Sequence, residues 1–183
     1  VSRTGGKVLV TYFSVPETDG VDASSGASRL VSDGKLQGNT EYVATVISEA
    51  TGGDLFEIKT VHKYPGTHKE LIDAAKSDEN ARPALATHIK NLKEYDVVFV
   101  GFPNWWYDMP QPLYTFFDEY DLSGKTVVPF CTHGGSRFSD AVKTIREMEK
   151  GAIVLDGYAI SRDRVGSSKD GILNWLKKIG MQD

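Results

Sequence analysis

With 183 residues, 40% of them hydrophobic and 25% charged, the chain has the composition of one globular domain with a sizeable core. A formal net charge of −4, with no Lys- or Arg-rich stripe, offers nothing to nucleic acid, and no apolar run approaches the ~20 residues of a membrane helix. The single cysteine, Cys131, rules out an internal disulfide and a cysteine-rich metal centre, and reads as a small core residue rather than a catalytic thiol.

Val1 stands where a methionine would, which leaves room for an upstream segment. The residues present show no signal peptide, and a cytoplasmic setting is the expectation. Residues 7–13 form the first strand candidate, rich in β-branched and aromatic side chains. Ser14 follows, and residues 15–37, rich in Gly, Ser and Asp, read as a loop or surface insertion with at most a short helical turn. Gly38, Asn39 and Thr40 close the insertion. Val43, Val46, Ile47 and Ala50 then mark one face of a helix that ends at Gly52-Gly53.

Residues 54–61 form a second strand suited to a sheet edge. Helical pieces are expected near 67–75 and 86–92, separated by Arg82-Pro83. The unbroken run Val97-Val98-Phe99-Val100 reads as a strand buried on both faces. It stops at Gly101 and opens into a loop with Pro103, Asn104, Trp105, Trp106, Tyr107 and Pro110. Leu113, Phe116, Phe117 and Tyr120 return to helical spacing. A fourth strand spans 126–131, although Pro129 lacks the N–H of a central strand and argues for an edge or bulge. A helix with Phe138, Ala141, Val142, Ile145 and Met148 on one face follows, then a fifth strand within 152–160. The last helix buries Ile172, Trp175, Leu176 and Ile179.

Five strands alternating with helices predict an α/β three-layer sandwich in a single domain, residues 1–183. Its parallel sheet has order 2-1-3-4-5 and helices on both faces. In that order the loops after strands one, three and four meet at one end of the sheet, where open α/β folds bind ligands. Each loop has two readings. Gly38-Asn39-Thr40 is a helix cap or, with Ser14, a phosphate site at a helix N-terminus. Trp105 and Trp106 are core or dimer contacts, or one of them covers a flat ligand. Thr132-His133-Gly134-Gly135-Ser136 gives backbone donors with little bulk, and His133 is structural or an acid–base group. There is no GxxxxGK[ST] or GxGxxG pattern, and His62, His68 and His88 lack metal-ligand spacing.

Taken together, Ser14…Gly38-Asn39-Thr40, Gly101-Phe102-Pro103-Asn104-Trp105-Trp106 and Pro129-Phe130-Cys131-Thr132-His133-Gly134-Gly135-Ser136 resemble the flavodoxin family. The likeness is greatest to its bacterial branch with Pro-x-Trp-Trp and Thr-His-Gly-Gly-Ser loops. The resemblance covers essentially the whole chain and implies FMN as cofactor. It implies that Ser14, Gly38, Asn39 and Thr40 hold the phosphate and that Pro103, Asn104, Trp105 and Trp106 border the ring. Thr132, His133, Gly134, Gly135 and Ser136 would line its other side, with a backbone group near Asn104 or Trp105 facing flavin N5. The departure is in the first loop: 24 positions separate Ser14 from Gly38, where flavodoxins have a compact phosphate loop.

The function this implies is electron transfer between redox partner proteins, a reductase and an acceptor, by a monomer or weak dimer. The same resemblance admits an FMN-dependent NAD(P)H:quinone-type oxidoreductase, since 25 acidic against 21 basic residues is a weak charge bias for a docking carrier. A third reading is an interaction module of this fold without cofactor.

Overall fold

The computed structural model describes residues 7–14, 29–32, 35–61, 82–104, 108–133 and 137–181. Its sheet is built on β1 (Lys7–Tyr12), with β4 (Asp54–Glu57) on one side and β5 (Tyr95–Pro103) on the other. β6 (Thr126–His133) pairs with β5, and β7 (Ile153–Val154) and β8 (Tyr158–Ser161) share the fifth place beside β6. All these pairings are parallel. The order is the expected 2-1-3-4-5, and its switch point lies between β1 and β5.

Helices cover both faces, as near-continuous apolar strands require. On one face α1 (Asn39–Thr51) and α4 (Lys169–Lys178) bury Val43, Ile47, Ile172 and Leu176 against Val8, Val10, Phe99 and Phe130. Trp175 stacks on Tyr158 with ring centroids 5.0 Å apart and meets Phe99 edge-on at 6.0 Å. On the other face α2 (Gln111–Glu119) and α3 (Ala141–Met148) bury Leu113, Phe116, Phe117 and Ile145 against Leu9, Val98, Val100 and Val127.

Two local expectations need correction. The described part of the insertion 15–37 is not loop but strand: β2 (Arg29–Ser32) and β3 (Lys35–Gly38) pair antiparallel in a small separate sheet, and β3 runs straight into α1, while residues 15–28, where a helical turn had room, lie outside the described residues. The segment near 86–92 is not helical, because its polar groups have partners elsewhere. Ala86 N–H donates to Lys59 O (2.7 Å), Thr87 Oγ1 to Glu57 O (2.9 Å) and Ile89 N–H to the Tyr120 hydroxyl (2.7 Å), leaving only a 3-10 turn at Leu92–Glu94. The helix expected near 67–75 lies outside the described residues.

Pro129 sits in an interior strand, opposite Val100 of β5. Leu155 N–H donates to Val127 O (3.0 Å), so the odd-numbered residues of β6 turn their peptide groups toward the fifth strand. Pro129 offers no N–H on that side, and the gap between β7 and β8 falls opposite it. Gly157 fills the gap with φ +79°, so close that a Cβ there would lie 2.2 Å from Pro129 O. The missing donor thus breaks the edge strand and spares the central one.

Candidate functional site at the carboxyl ends of the central strands

β1 ends in a tight frame. Phe13 N–H donates to Gly101 O (2.9 Å) and Ile58 N–H to Tyr12 O (2.7 Å), which brings half-buried Ser14 to the top of the switch point. Across it α1 begins at the Gly38 N-cap in extended conformation (φ −73°, ψ 151°), with no side chain among the described residues capping its first turn. The orphan N–H groups and the positive end of the helix dipole are therefore left for something else. Asn39 is buried at 2% exposure, and its Nδ2 has no hydrogen-bond partner among the described residues. A buried amide donor without a partner costs free energy unless a further acceptor completes the site. Glu41, also in that first turn, acts against an anion there.

The other two loops are tied to this one. Thr40 Oγ1 and Thr132 Oγ1 lie 2.9 Å apart, both residues buried. A hydroxyl can both donate and accept, so this contact ties the first turn of α1 to the end of β6. Asn104 N–H donates to Thr132 O (2.9 Å), continuing the β5–β6 ladder past Pro103. That N–H is committed, so of the backbone groups expected to face a flavin N5 only the Asn104 carbonyl and Trp105 remain.

The Asn104 side chain fixes the turn after β6. Nδ2 donates to Arg137 O (2.5 Å) and reaches Ser139 Oγ (3.4 Å), while its buried Oδ1 has no partner among the described residues. Arg137 (φ 53°) and Ser139 (φ 48°) both hold left-handed backbone that non-glycine residues rarely adopt. Asn104 thus positions this turn more than it presents its own donor outward.

His133 ends β6 at 7% exposure; burial first, then the nearby Arg137 guanidinium, push its pKa below the ordinary value. It is neutral at pH 7 and is not poised as an acid. Cys131 is fully buried and burial raises its pKa, which keeps it a thiol. Trp105, Trp106, Gly134, Gly135 and Ser136 lie outside the described residues. The described part of the predicted site, Ser14, Gly38, Asn39, Thr40, Pro103, Asn104, Thr132 and His133, comes together at this end of the sheet.

Two anchors had no sequence signal. Asp108 accepts a hydrogen bond from Tyr114 (2.7 Å) and from Met109 N–H (2.7 Å), pinning the far end of the aromatic loop to α2. Burial and the Asp108 carboxylate raise the Tyr114 pKa, so the phenol stays a donor. The Arg137–Ser139 turn is the second, since neither residue type favours left-handed backbone. No cluster of His, Cys, Asp and Glu fit to hold a metal occurs among the described residues, and none of their helices is long and apolar enough to cross a membrane.

The sequence profile of the family described as Flavodoxin matches residues 7–179. The chain belongs to the flavodoxin family. Among solved structures, a protein of Bacteroides uniformis ATCC 8492 assigned as a flavoprotein is 30% identical, with TM-score 0.70 over 95% of this chain and 99% of that one. A similarly assigned protein of Bacteroides eggerthii DSM 20697 is 27% identical, with TM-score 0.68 over 96% and 98%. The flavoprotein of Lactobacillus acidophilus NCFM, solved in complex with FMN, shares the fold at 20% identity, TM-score 0.60, over 89% and 98%. No curated protein matches the chain. Between its first strand and the following helix this flavodoxin carries the β2–β3 hairpin.

Proposed function

We propose that this flavodoxin binds FMN and carries electrons between protein partners. The observation that carries the reading is the N-terminus of α1, uncapped among the described residues, with the buried Asn39 amide that has no described partner beside it, at the switch point of the sheet. These donors fit a phosphate monoester. Asn39 and the first-turn N–H groups would bind it, with Ser14 beside them. The Lactobacillus flavoprotein of the same fold, solved in complex with FMN, supports FMN as that ligand.

Bound flavin supplies the redox chemistry. The chain's own residues orient it and set the charge around it. His133, held neutral, adds no positive charge to offset electrons arriving at the site. Asn104 fixes the loop after β6 through Arg137 and Ser139, which keeps the wall on that side from moving.

The test is retention of yellow flavin, about one per chain, after mixing with FMN and desalting, with the Asn39→Asp variant as control. The variant places a carboxylate against the phosphate and should weaken FMN by about tenfold or more while circular dichroism stays unchanged. Loss of all flavin from the native protein overturns the reading. The small acid excess supports a second role, an NAD(P)H-dependent reductase of quinone-type acceptors. Sustained NADPH oxidation by the FMN-loaded protein with a quinone and no added reductase would decide for that role against the carrier.

A further inference from the structure

β8 lies at the rim of the sheet. It pairs with β6, and among the described residues no strand pairs with its outer side. The direction of its peptide groups follows from the ladder. Ile153 N–H donates to Lys125 O (2.9 Å) and Leu155 N–H to Val127 O (3.0 Å), so the odd-numbered residues of β6 face the fifth strand. Cys131 stands opposite Ala159 and His133 opposite Ser161. In a parallel ladder Cys131 bonds the residues on either side of Ala159, not Ala159 itself. The N–H and C=O of Ala159 and Ser161 therefore point out of the sheet.

A cavity of about 930 Å³ runs along this edge. Residues 157–161 line it without a break, together with His133, Arg137 and Phe138 from the end of β6 and the turn after it, and Arg164, Ser168 and Gly171 from the segment that follows β8. Arg137 and Arg164 are exposed, and neither is held in an ion pair among the described residues. No Asp or Glu is among the described lining residues, in a chain whose net charge is −4. The described lining of the groove is thus basic, with a strand edge at its base that pairs with no other described strand. A small anion would use the arginines but has no use for a row of outward peptide groups. An extended chain uses both.

We propose that this groove takes an extended, acidic segment of a partner protein by strand addition. The segment's main chain would bond Ala159 and Ser161, and its carboxylates would meet Arg137 and Arg164. This goes beyond the flavin reading; because His133 and Arg137 line the groove and also border the candidate flavin site, FMN retention is read as a separate measurement.

The test uses ¹⁵N-labelled full chain and the peptide acetyl-Val-Glu-Val-Glu-Val-Glu-amide, with the Lys-for-Glu peptide as control. The acidic peptide should slow amide exchange at Ala159 and Ser161 by about tenfold or more, and the Lys peptide should not. The double variant Arg137→Glu, Arg164→Glu should weaken the acidic peptide by about tenfold or more. Binding that leaves those two amides unprotected overturns strand addition and leaves a patch for anions. No binding at about 1 mM peptide overturns it as well, and makes the arginines guards against edge-to-edge association. Exchange on the native chain decides the matter even if the variant misfolds, and FMN retention, read separately, does not enter it.

Discussion

The hydroxyls of Thr40 and Thr132, 92 positions apart in sequence, lie 2.9 Å from each other in a buried setting. One stands in the first turn of α1, the other near the end of β6, so the bond reaches over the top of β5 and joins two of the three loops that build the site. Asn104 N–H, donating to Thr132 O, joins the third. Thr132 is thus the point where all three loops meet.

Removing one hydroxyl leaves its buried partner short of a hydrogen bond. Thr40→Val and Thr132→Val should each cost about 1–2 kcal/mol in urea unfolding, and the double variant should cost less than the two together. A coupling energy of about 0.5 kcal/mol or more is the expected result. Strictly additive losses would mean that the hydroxyls act through other neighbours.

Asn104 has its own consequence. Its Nδ2 holds Arg137 O against two residues in left-handed backbone, so Asn104→Ala should release the turn after β6. The expected cost is about 1–2 kcal/mol. Limited trypsin digestion should show new cleavage after Arg137 before any other site opens. Unchanged digestion would show that the turn holds itself.

Much of this architecture is legible in the sequence, because parallel strands buried on both faces must be long apolar runs. Val97 to Val100 and residues 126–131 announce themselves in that way. What escapes is decided by partners far along the chain. Residues 86–92 have helical spacing, yet Lys59, Glu57 and Tyr120 take their polar groups. The hairpin at Arg29–Gly38 does have a local signal, Asp33-Gly34 between two short runs, but the Gly- and Ser-rich surroundings mask it. In the site the small polar residues Asn39, Thr40 and Thr132 are visible as types. The hydroxyl bridge between them is not, since no spacing within one element predicts it.

His133 gives a pH dependence. Its folded pKa lies below the ordinary value of 6.5, through burial first and the Arg137 charge second. Below 6.5 the unfolded chain therefore binds more protons than the folded one, and stability rises with pH across that window. The contribution is present in full above 6.5 and is lost as pH falls through the folded value. Native protein should lose more of its urea midpoint between about pH 7.5 and pH 5.5 than His133→Gln, which cannot take up the proton. Equal losses in both proteins would place the acid sensitivity elsewhere.

Gly101 ends the apolar run of β5 for a packing reason. A Cβ there would lie 2.1 Å from two atoms of the Phe130 ring, which is itself fully buried between β5 and the α1–α4 face. Neither can yield easily, because Gly101 O also receives the Phe13 N–H at the mouth of the site. Gly101→Ala should therefore destabilise by about 2–3 kcal/mol, near the upper end of ordinary overpacking. Phe130→Leu should cost about 1–2 kcal/mol alone through lost packing, yet in the Gly101→Ala background it should restore stability by making room. Thermal melts of the four proteins distinguish the cases. If Phe130→Leu deepens the Gly101→Ala defect, then the glycine serves the turn into the aromatic loop rather than the ring beneath it.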